Sequence, residues 1–393
     1  MNINLPATET LLGSLVGWMV TFGSLVAMPS AWAQATNKGQ HDSAMGGPIR
    51  VATYNVSMYR ERAGELHREL ISGKSAQGVQ IARVIQSVRP DVLLLCEFDF
   101  EHDAASLNAF ADLYLNHDQN GSDTAISYPH RISLPSNTGM FSNLDLNRDG
   151  VAELPSDGWG FGRYEGQYAM AVLSRFPIDR DACRTFQSFR WARFPDALRP
   201  SDPITGVPFH PDSVWSQMRL SSKNHADIPI DVGMSGTTRR LHFLVSHPTP
   251  PVFDGPEDLN GRRNHDEIRF WHLYVTTAAT ALVDDEGTAG GLDPNASFVI
   301  AGDLNSDPHK GDSRREAIRD LLLHPRTIDA KPSSADHQEA TASFGEDSVR
   351  VDYVVPSADW SVEDSGVVWP SAGQPFAKDV EASDHRLVWV DLK

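Results

Sequence analysis

Short apolar runs, each closed by a polar group, alternate with helical patterns along this chain. IRVATYNVSMY, opening at Ile49, alternates apolar and polar positions as a strand does, and VLLLCEF, Val92 to Phe98, reads as a buried strand. Between them SAQGVQIARVIQSVRP places Ile81, Ala82, Ile85 and Val88 on one helical face, and Pro90 stops it. A strand, helix, strand order favours a sheet covered by helices, so the fold class is α/β or α+β. YAMAVLSRFPI and LHFLVSHP follow as strands. NHDEIRFWHLYVTTAATALV reads as a helix capped by Asn264, with Asp266 and Glu267 in its first turn. The strand FVIAG, the short helix REAIRDLLL, and the strands VRVDYVV and HRLVWVDL complete the chain. Periodicity lapses near 116–166 and again near 186–240, which read as loop insertions. Loops of that length inside a domain are usually functional.

The N-terminus changes the picture. Leu11 to Met28 is an apolar run, and small residues at Ala31 and Ala33 supply a signal-peptidase site, so residues 1–33 read as a signal peptide cleaved after Ala33. The leading segment carries Glu9 and no Lys or Arg, and an uncleaved anchor is the alternative. Residues 34–48 read as a flexible leader and 49–393 as one catalytic domain. The expected location is secreted or periplasmic, with no stable membrane association after cleavage and a monomeric chain. The 393 residues are enough for a substantial core. Their formal net charge of -18 opposes general coating of duplex nucleic acid, which needs a Lys/Arg surface. The pairs Arg239-Arg240, Arg262-Arg263 and Arg314-Arg315 keep a local basic groove open. Cys96 and Cys183 permit at most one bridge, and neither has the surroundings of a catalytic thiol.

Polar groups cluster where the apolar runs end. Asn55 interrupts the first strand, Glu97 ends the second and His247 ends LVSHP. Asp303 and Asn305 follow FVIAG, Asp352 sits in VRVDYVV, and Asp384-His385 precede the last strand. Each alone has a bland reading as a turn or solvated strand end, but eight in one chain form a coherent set. Glu97, Asp303, Asn305 and Asp384 are hard oxygen donors suited to Mg²⁺, Mn²⁺ or Ca²⁺. Such a cation polarises a phosphoryl oxygen and lowers the pKa of bound water, and a histidine with a carboxylate partner moves protons near neutral pH. Metal-assisted hydrolysis of phosphate esters fits these parts.

In order, ATYN, RPDVLLLCE, AVLSRFPI, SHP, GDLNSDP, VDY and SDH resemble the blocks of the endonuclease/exonuclease/phosphatase superfamily from about Arg50 to the C-terminus. RLSSKNHADIPI, HPTPPVFDGPEDLNGRRNHDEIRFW and SNTGMFSNLDLNRDG look like blocks of its secreted bacterial subgroup. The resemblance implies a four-layer sandwich of two packed mixed β-sheets flanked by helices, with the site where the strand ends meet. It implies that Glu97 binds metal with help from Asn55, with Asp384 in support. It also implies that Asp303 positions or deprotonates the water, that Asn305 contacts the phosphate, and that His385, oriented by Asp352, binds phosphate or acts as acid/base. His247 matches a second catalytic histidine of pancreatic-type deoxyribonucleases. In those enzymes a Glu directly before Gln-Tyr supports that histidine, whereas EGQY here puts Gly166 in its place and Glu165 one residue earlier.

DLNRDG spaces Asp145, Asn147 and Asp149 like a calcium loop, although its twelfth position is Ser156 rather than Glu; a structural Ca²⁺ and a plain Asx turn are both open. The expected function is hydrolysis of phosphate mono- or diesters. The alternative is a secreted nuclease, with nucleic acid only as substrate; a sphingomyelinase-like lipid phosphodiesterase or an inactive binding module ranks below. Phe186, Phe189, Trp191 and Phe194 read as a packed insertion or as a lipid-touching wedge. Lys223, His225, Arg263 and His265 are substrate-holding candidates for which a surface or structural role is favoured.

Overall fold

The computed structural model describes residues 47–393 apart from 120, 122, 123, 235, 236, 277, 278 and 346. The expected signal peptide, and the leader up to residue 46, lie outside the described residues. Among the described residues no helix is long and apolar enough to cross a membrane. The strands in chain order are β1 (Ile49–Met58), β2 (Val92–Phe98), β3 (His130–Leu134), β4 (Met170–Ser174), β5 (Arg184–Thr185), β6 (His225–Met234) and β7 (Thr237–Ser246), followed by β8 (Ser297–Asp303), β9 (Ala342–Phe344), β10 (Asp347–Val349), β11 (Asp352–Pro356), β12 (Val362–Val367) and β13 (Val388–Leu392). One sheet has the order β12-β13-β1-β2-β4-β3, the other β11-β8-β7-β6-β5, and β9 and β10 form a hairpin. Both large sheets are mixed: β1 runs parallel to β2, and β7 to β8, among antiparallel neighbours.

The apolar runs are continuous because these strands are covered on both faces. Val92, Leu94 and Cys96 of β2 meet Val299 and Ala301 of β8 in the layer between the sheets. Leu93 and Leu95 face the other way, onto Ile81 and Ile85 of the helix Ala76–Val88. Phe298 and Ile300 pack under Ile268 and Trp271 of the helix Leu259–Tyr274 and Ile318 of the helix Glu316–Leu322. Helix, sheet, sheet, helix is the four-layer arrangement.

The second insertion is less irregular than expected. His225–Met234 is a full strand paired along its length with β7, its buried Ala226, Ile228, Ile230 and Val232 alternating into the inter-sheet core. Phe186, Phe189, Trp191 and Phe194 are all buried, so the insertion is packed rather than a lipid wedge. The helix expected to start at Asn264 begins five residues earlier, at Leu259, and ends at Tyr274. Its cap-like polar residues are buried tethers instead. Asn264 donates to Thr249 O and Leu304 O, while Asp266 Oδ2 accepts from the Trp191 indole at 2.7 Å. Cys96 and Cys183 are unpaired.

Gly302 marks where the layers close most tightly. A Cβ there would stand 2.0 Å from Ser246 O, and backbone cannot rotate aside as a side chain can. Gly302→Ala is therefore expected to cost about 1–3 kcal/mol or more of stability, read as a lowered midpoint in a denaturant melt. A midpoint equal to wild type would contradict this close approach.

Candidate active site

Six strands bring the polar groups together. Asp303, at the end of β8, lies directly across from Asp352 at the start of β11. β1 carries Asn55, and β2 carries Glu97 one residue before its end, with a left-handed φ of 57°. His247 follows β7, and Asp384-His385 precede β13, tied in place by the β9–β10 hairpin through an Ala342–His385 bridge and a Ser343 N to Asp384 O bond of 3.0 Å.

Asp303 is the centre. Its Oδ2 accepts from Asn55 Nδ2 at 3.1 Å and lies 3.4 Å from His247 Nε2 and 3.6 Å from His385 Nε2; Oδ1 accepts from Asn305 N at 3.0 Å. Burial alone would raise its pKa, but His385, His247 and the Asn55 bond outweigh burial and hold it well below the usual carboxylate range. Asn55 also donates to Glu97 Oε1 at 3.1 Å, and its own oxygen accepts from Ser57 N. In this arrangement Asn55 bridges the Glu97 and Asp303 carboxylates. His385 Nδ1 pairs with Asp352 Oδ2 at 2.9 Å. Burial opposes charge on this ring, but Asp352 and Asp303 prevail, and its pKa is pushed up to about 10.

Asp303, Asp352 and His385 offer ligand atoms within 4.8 Å of one another. Because Asp352 is engaged on the far side of the imidazole, this trio reads as a proton-handling group rather than a cation cage. The oxygen-rich edge lies at Glu97 and Asp384. Glu97 is half-buried, Asp384 exposed, and both charges act on the nearby Tyr59 hydroxyl. An all-oxygen donor set with carboxylates open to solvent fits a hard divalent cation.

Several contacts escaped the sequence. β1 bulges at Ser57, whose hydroxyl reaches Asp384 Oδ1 at 3.0 Å and Ser383 Oγ at 3.1 Å. Tyr59 and Tyr168 pair with centroids 4.4 Å apart beside Glu97, and Phe344 of the hairpin packs edge-on against His385. Ser57 could have been flagged by its place two residues beyond Asn55, but the bulge that turns it inward has no local signature.

The second histidine lacks its carboxylate. Glu165 is exposed, and among the described residues His247 Nδ1 is buried without a hydrogen-bond partner. Gly166 adopts φ 89°, and a Cβ there would sit 2.9 Å from Phe100 O, so this backbone excludes the Glu of the two-histidine pattern. Burial and the Lys223 ammonium push the His247 pKa down, favouring a neutral ring. His225 and Arg263 are structural: the histidine bonds Ser221 Oγ and Glu267 O, and the guanidinium donates to the carbonyls of Leu220, Trp159, Arg219 and Ser221. His265 pairs with its neighbour Asp266. In the DLNRDG loop, Asp145 accepts from Asp149 N and Gly150 N, and Asn147 donates to Asp149 Oδ2. Nested Asx turns hold Asp145, Asn147 and Asp149 in this loop.

Among solved structures the chain resembles an endonuclease/exonuclease/phosphatase from Beutenbergia cavernae DSM 12333, at 17% identity over 88% of this chain and 72% of that one, with a TM-score of 0.49. It also resembles the mannosyl-6-phosphatase of Bacteroides thetaiotaomicron VPI-5482 (15% identity, 88% and 99% covered, TM-score 0.46) and sphingomyelinase C of Streptomyces griseocarneus (18%, 88% and 99%, 0.45). No curated protein matches the chain. The sequence matches the Endonuclease/Exonuclease/phosphatase family over residues 52–385, a span that begins three residues before Asn55 and ends on His385. The chain belongs to that family, and is a hydrolase acting on phosphoric ester bonds.

Proposed function

We propose that this protein is an exported, divalent-metal-dependent phosphoesterase that hydrolyses small phosphate mono- or diesters. The observation that carries the reading is the Asp303 carboxylate, buried yet held ionised, with His247 and His385 converging on one of its oxygens and Asp352 behind His385. Glu97 and Asp384 would hold Mg²⁺ or Mn²⁺, with Ca²⁺ also compatible, and Asn55 and Ser57 orient those carboxylates. When bound, the cation supplies positive charge that polarises the phosphoryl group and favours departure of the ester oxygen.

The chain's own residues do the rest. Asp303 Oδ2 orients the attacking water and accepts its proton as the new oxygen–phosphorus bond forms and the ester bond breaks. His385, kept cationic by Asp352, presents Nε2–H to the phosphoryl group, and the departing oxygen takes its proton from solvent water. Asn305, at φ 51° with its amide on Pro248 O at 3.1 Å, borders the phosphate position.

Small esters are favoured over a polynucleotide because the arginine pairs are already spent. Arg239 binds Asp359, Arg240 binds Asp179 and Asp231, Arg314 binds Asp258, and Arg262 and Arg315 donate to backbone carbonyls. Such arginines offer little counter-charge to a DNA backbone. The Leu11–Met28 run and Ala33 support export.

The test incubates the purified exported form, whose intact mass should start at Gln34, with p-nitrophenyl phosphate, bis-p-nitrophenyl phosphate and plasmid DNA. Each is run with Mg²⁺, Mn²⁺, Ca²⁺ or chelator. Small-ester turnover that chelator abolishes, with plasmid intact, is the expected result. Plasmid cleavage with little small-ester turnover would replace this reading with a secreted nuclease.

A further inference from the structure

Lys223 is a buried ammonium with almost nothing to bind. The residue is 6% exposed, and among the described residues its Nζ has one acceptor, Pro248 O, at 3.5 Å. An ammonium carries three donors, and burying it is costly unless they are met. Glu267, the carboxylate whose charge acts on it most, is already committed: Oε1 takes Ser222 N and Oε2 takes Thr249 N, each at 2.6 Å. A lysine kept for packing alone would be replaced by an apolar chain of similar length at no loss.

Its position explains its retention. Pro248 O also accepts from Asn305 Nδ2 at 3.1 Å, so one carbonyl gathers the ammonium and the amide side by side. The preceding residue is His247, 3.4 Å from Asp303 Oδ2. Burial pushes the Lys223 pKa down, Arg263 adds to that, and Glu267, Glu97 and Asp303 act against it in favour of the charged form. The backbone around it is pinned from both sides. Lys223 O accepts from Asn137 N at 3.0 Å, Glu267 holds Ser222, and Asn224 donates to Pro135 O at 3.0 Å. A donor fixed in this way meets an incoming anion with little reorganisation.

We propose that Lys223 binds the reacting phosphate, its ammonium beside the Asn305 amide taking a non-bridging phosphoryl oxygen on the His247 flank of Asp303. The inference rests on the phosphoesterase reading above. Lys223 keeps its protons throughout and neutralises charge that grows on that oxygen as water adds to phosphorus and the ester oxygen leaves.

The test compares wild-type, Lys223→Met and Lys223→Arg proteins by calorimetric titration with inorganic phosphate in Mn²⁺, by kcat and KM on the best small ester, and by Tm. Lys223→Met should bind phosphate at least tenfold more weakly and lose roughly 10²-fold in kcat, as when one oxyanion donor is removed. Its Tm should hold or rise, because a poorly paired buried charge has gone. Lys223→Arg should recover part of the phosphate affinity. If Lys223→Met does not fold, Lys223→Gln carries the same expectations. Phosphate bound equally by wild type and the neutral variant, or not bound by wild type, overturns the assignment whatever the turnover. Wild-type protein that binds phosphate but hydrolyses no ester would sink the phosphoesterase reading alone, leaving the binding comparison to decide Lys223.

Discussion

Asp303→Asn should lower kcat on the preferred ester by roughly 10³-fold or more while the protein still folds. The substitution keeps shape and an acceptor for Asn55 Nδ2, but it removes the charge that three neighbours are arranged to hold. An amide accepts no proton from water, and with its oxygen kept toward Asn55 and the two histidines its NH₂ takes the Oδ1 position, against Asn305 N. The fold should tolerate it because β8 stays paired with both β7 and β11, and among the described residues Asp303 Oδ1 bonds only the local Asn305 N. Circular dichroism and a denaturant melt would confirm the native sheet content. A variant rate within tenfold of wild type would show that Asp303 is not the group that handles the attacking water, and the centre of the mechanism would fall with it.

Much of this site was legible because its residues interrupt apolar runs. Glu97, Asp303, Asp352 and His385 sit at or near the ends of strands buried on both faces, and Asn55 sits just before the irregularity in β1, places where a polar group has few structural reasons to exist. Their convergence could not be read from spacing, since it depends on register: Asp303 faces Asp352 across two antiparallel strands 49 positions apart in the chain. β6 carries a readable alternation in Ala226, Ile228, Ile230 and Val232, but Pro229 demotes such a run, so in sequence it reads as part of an insertion. The helix start at Leu259 was missed for the opposite reason. Asn264, Asp266 and Glu267 look like a solvated first turn, yet they are buried because loops at 191–198, 222 and 249 need acceptors and donors there. Lys223 is the same lesson at the site itself. In sequence it is a substrate-holding candidate for which a surface or structural role is favoured, and only tertiary packing reveals the burial.

The largest pH effect is expected at His385, through Asp352. In metal-free protein the imidazolium is favoured by the Asp352 and Asp303 carboxylates against the cost of burial, so its folded pKa, about 10, lies above the ordinary value near 6.5. A raised pKa means that the folded state binds the proton more tightly than the unfolded chain. That stabilisation is complete below about pH 6.5 and is lost as pH rises through about 10. Asp352→Asn keeps an acceptor for Nδ1–H but removes the nearer charge, so the His385 pKa should fall and the loss should begin at lower pH. Chemical melts of both proteins in chelator between pH 6.5 and 10 should show stabilities that differ most at the acid end and converge toward the alkaline end, by a margin of order a few kcal/mol. With metal restored, the variant should lose roughly 10²–10⁴-fold in kcat, and the alkaline limb of its rate profile should move down in pH, because the ring that donates to the phosphoryl group deprotonates earlier. A stability difference independent of pH, together with an unmoved alkaline limb, would show that Asp352 orients His385 without holding its charge. The histidine would then act as a neutral donor, and Lys223 would be left as the buried cation on the phosphate.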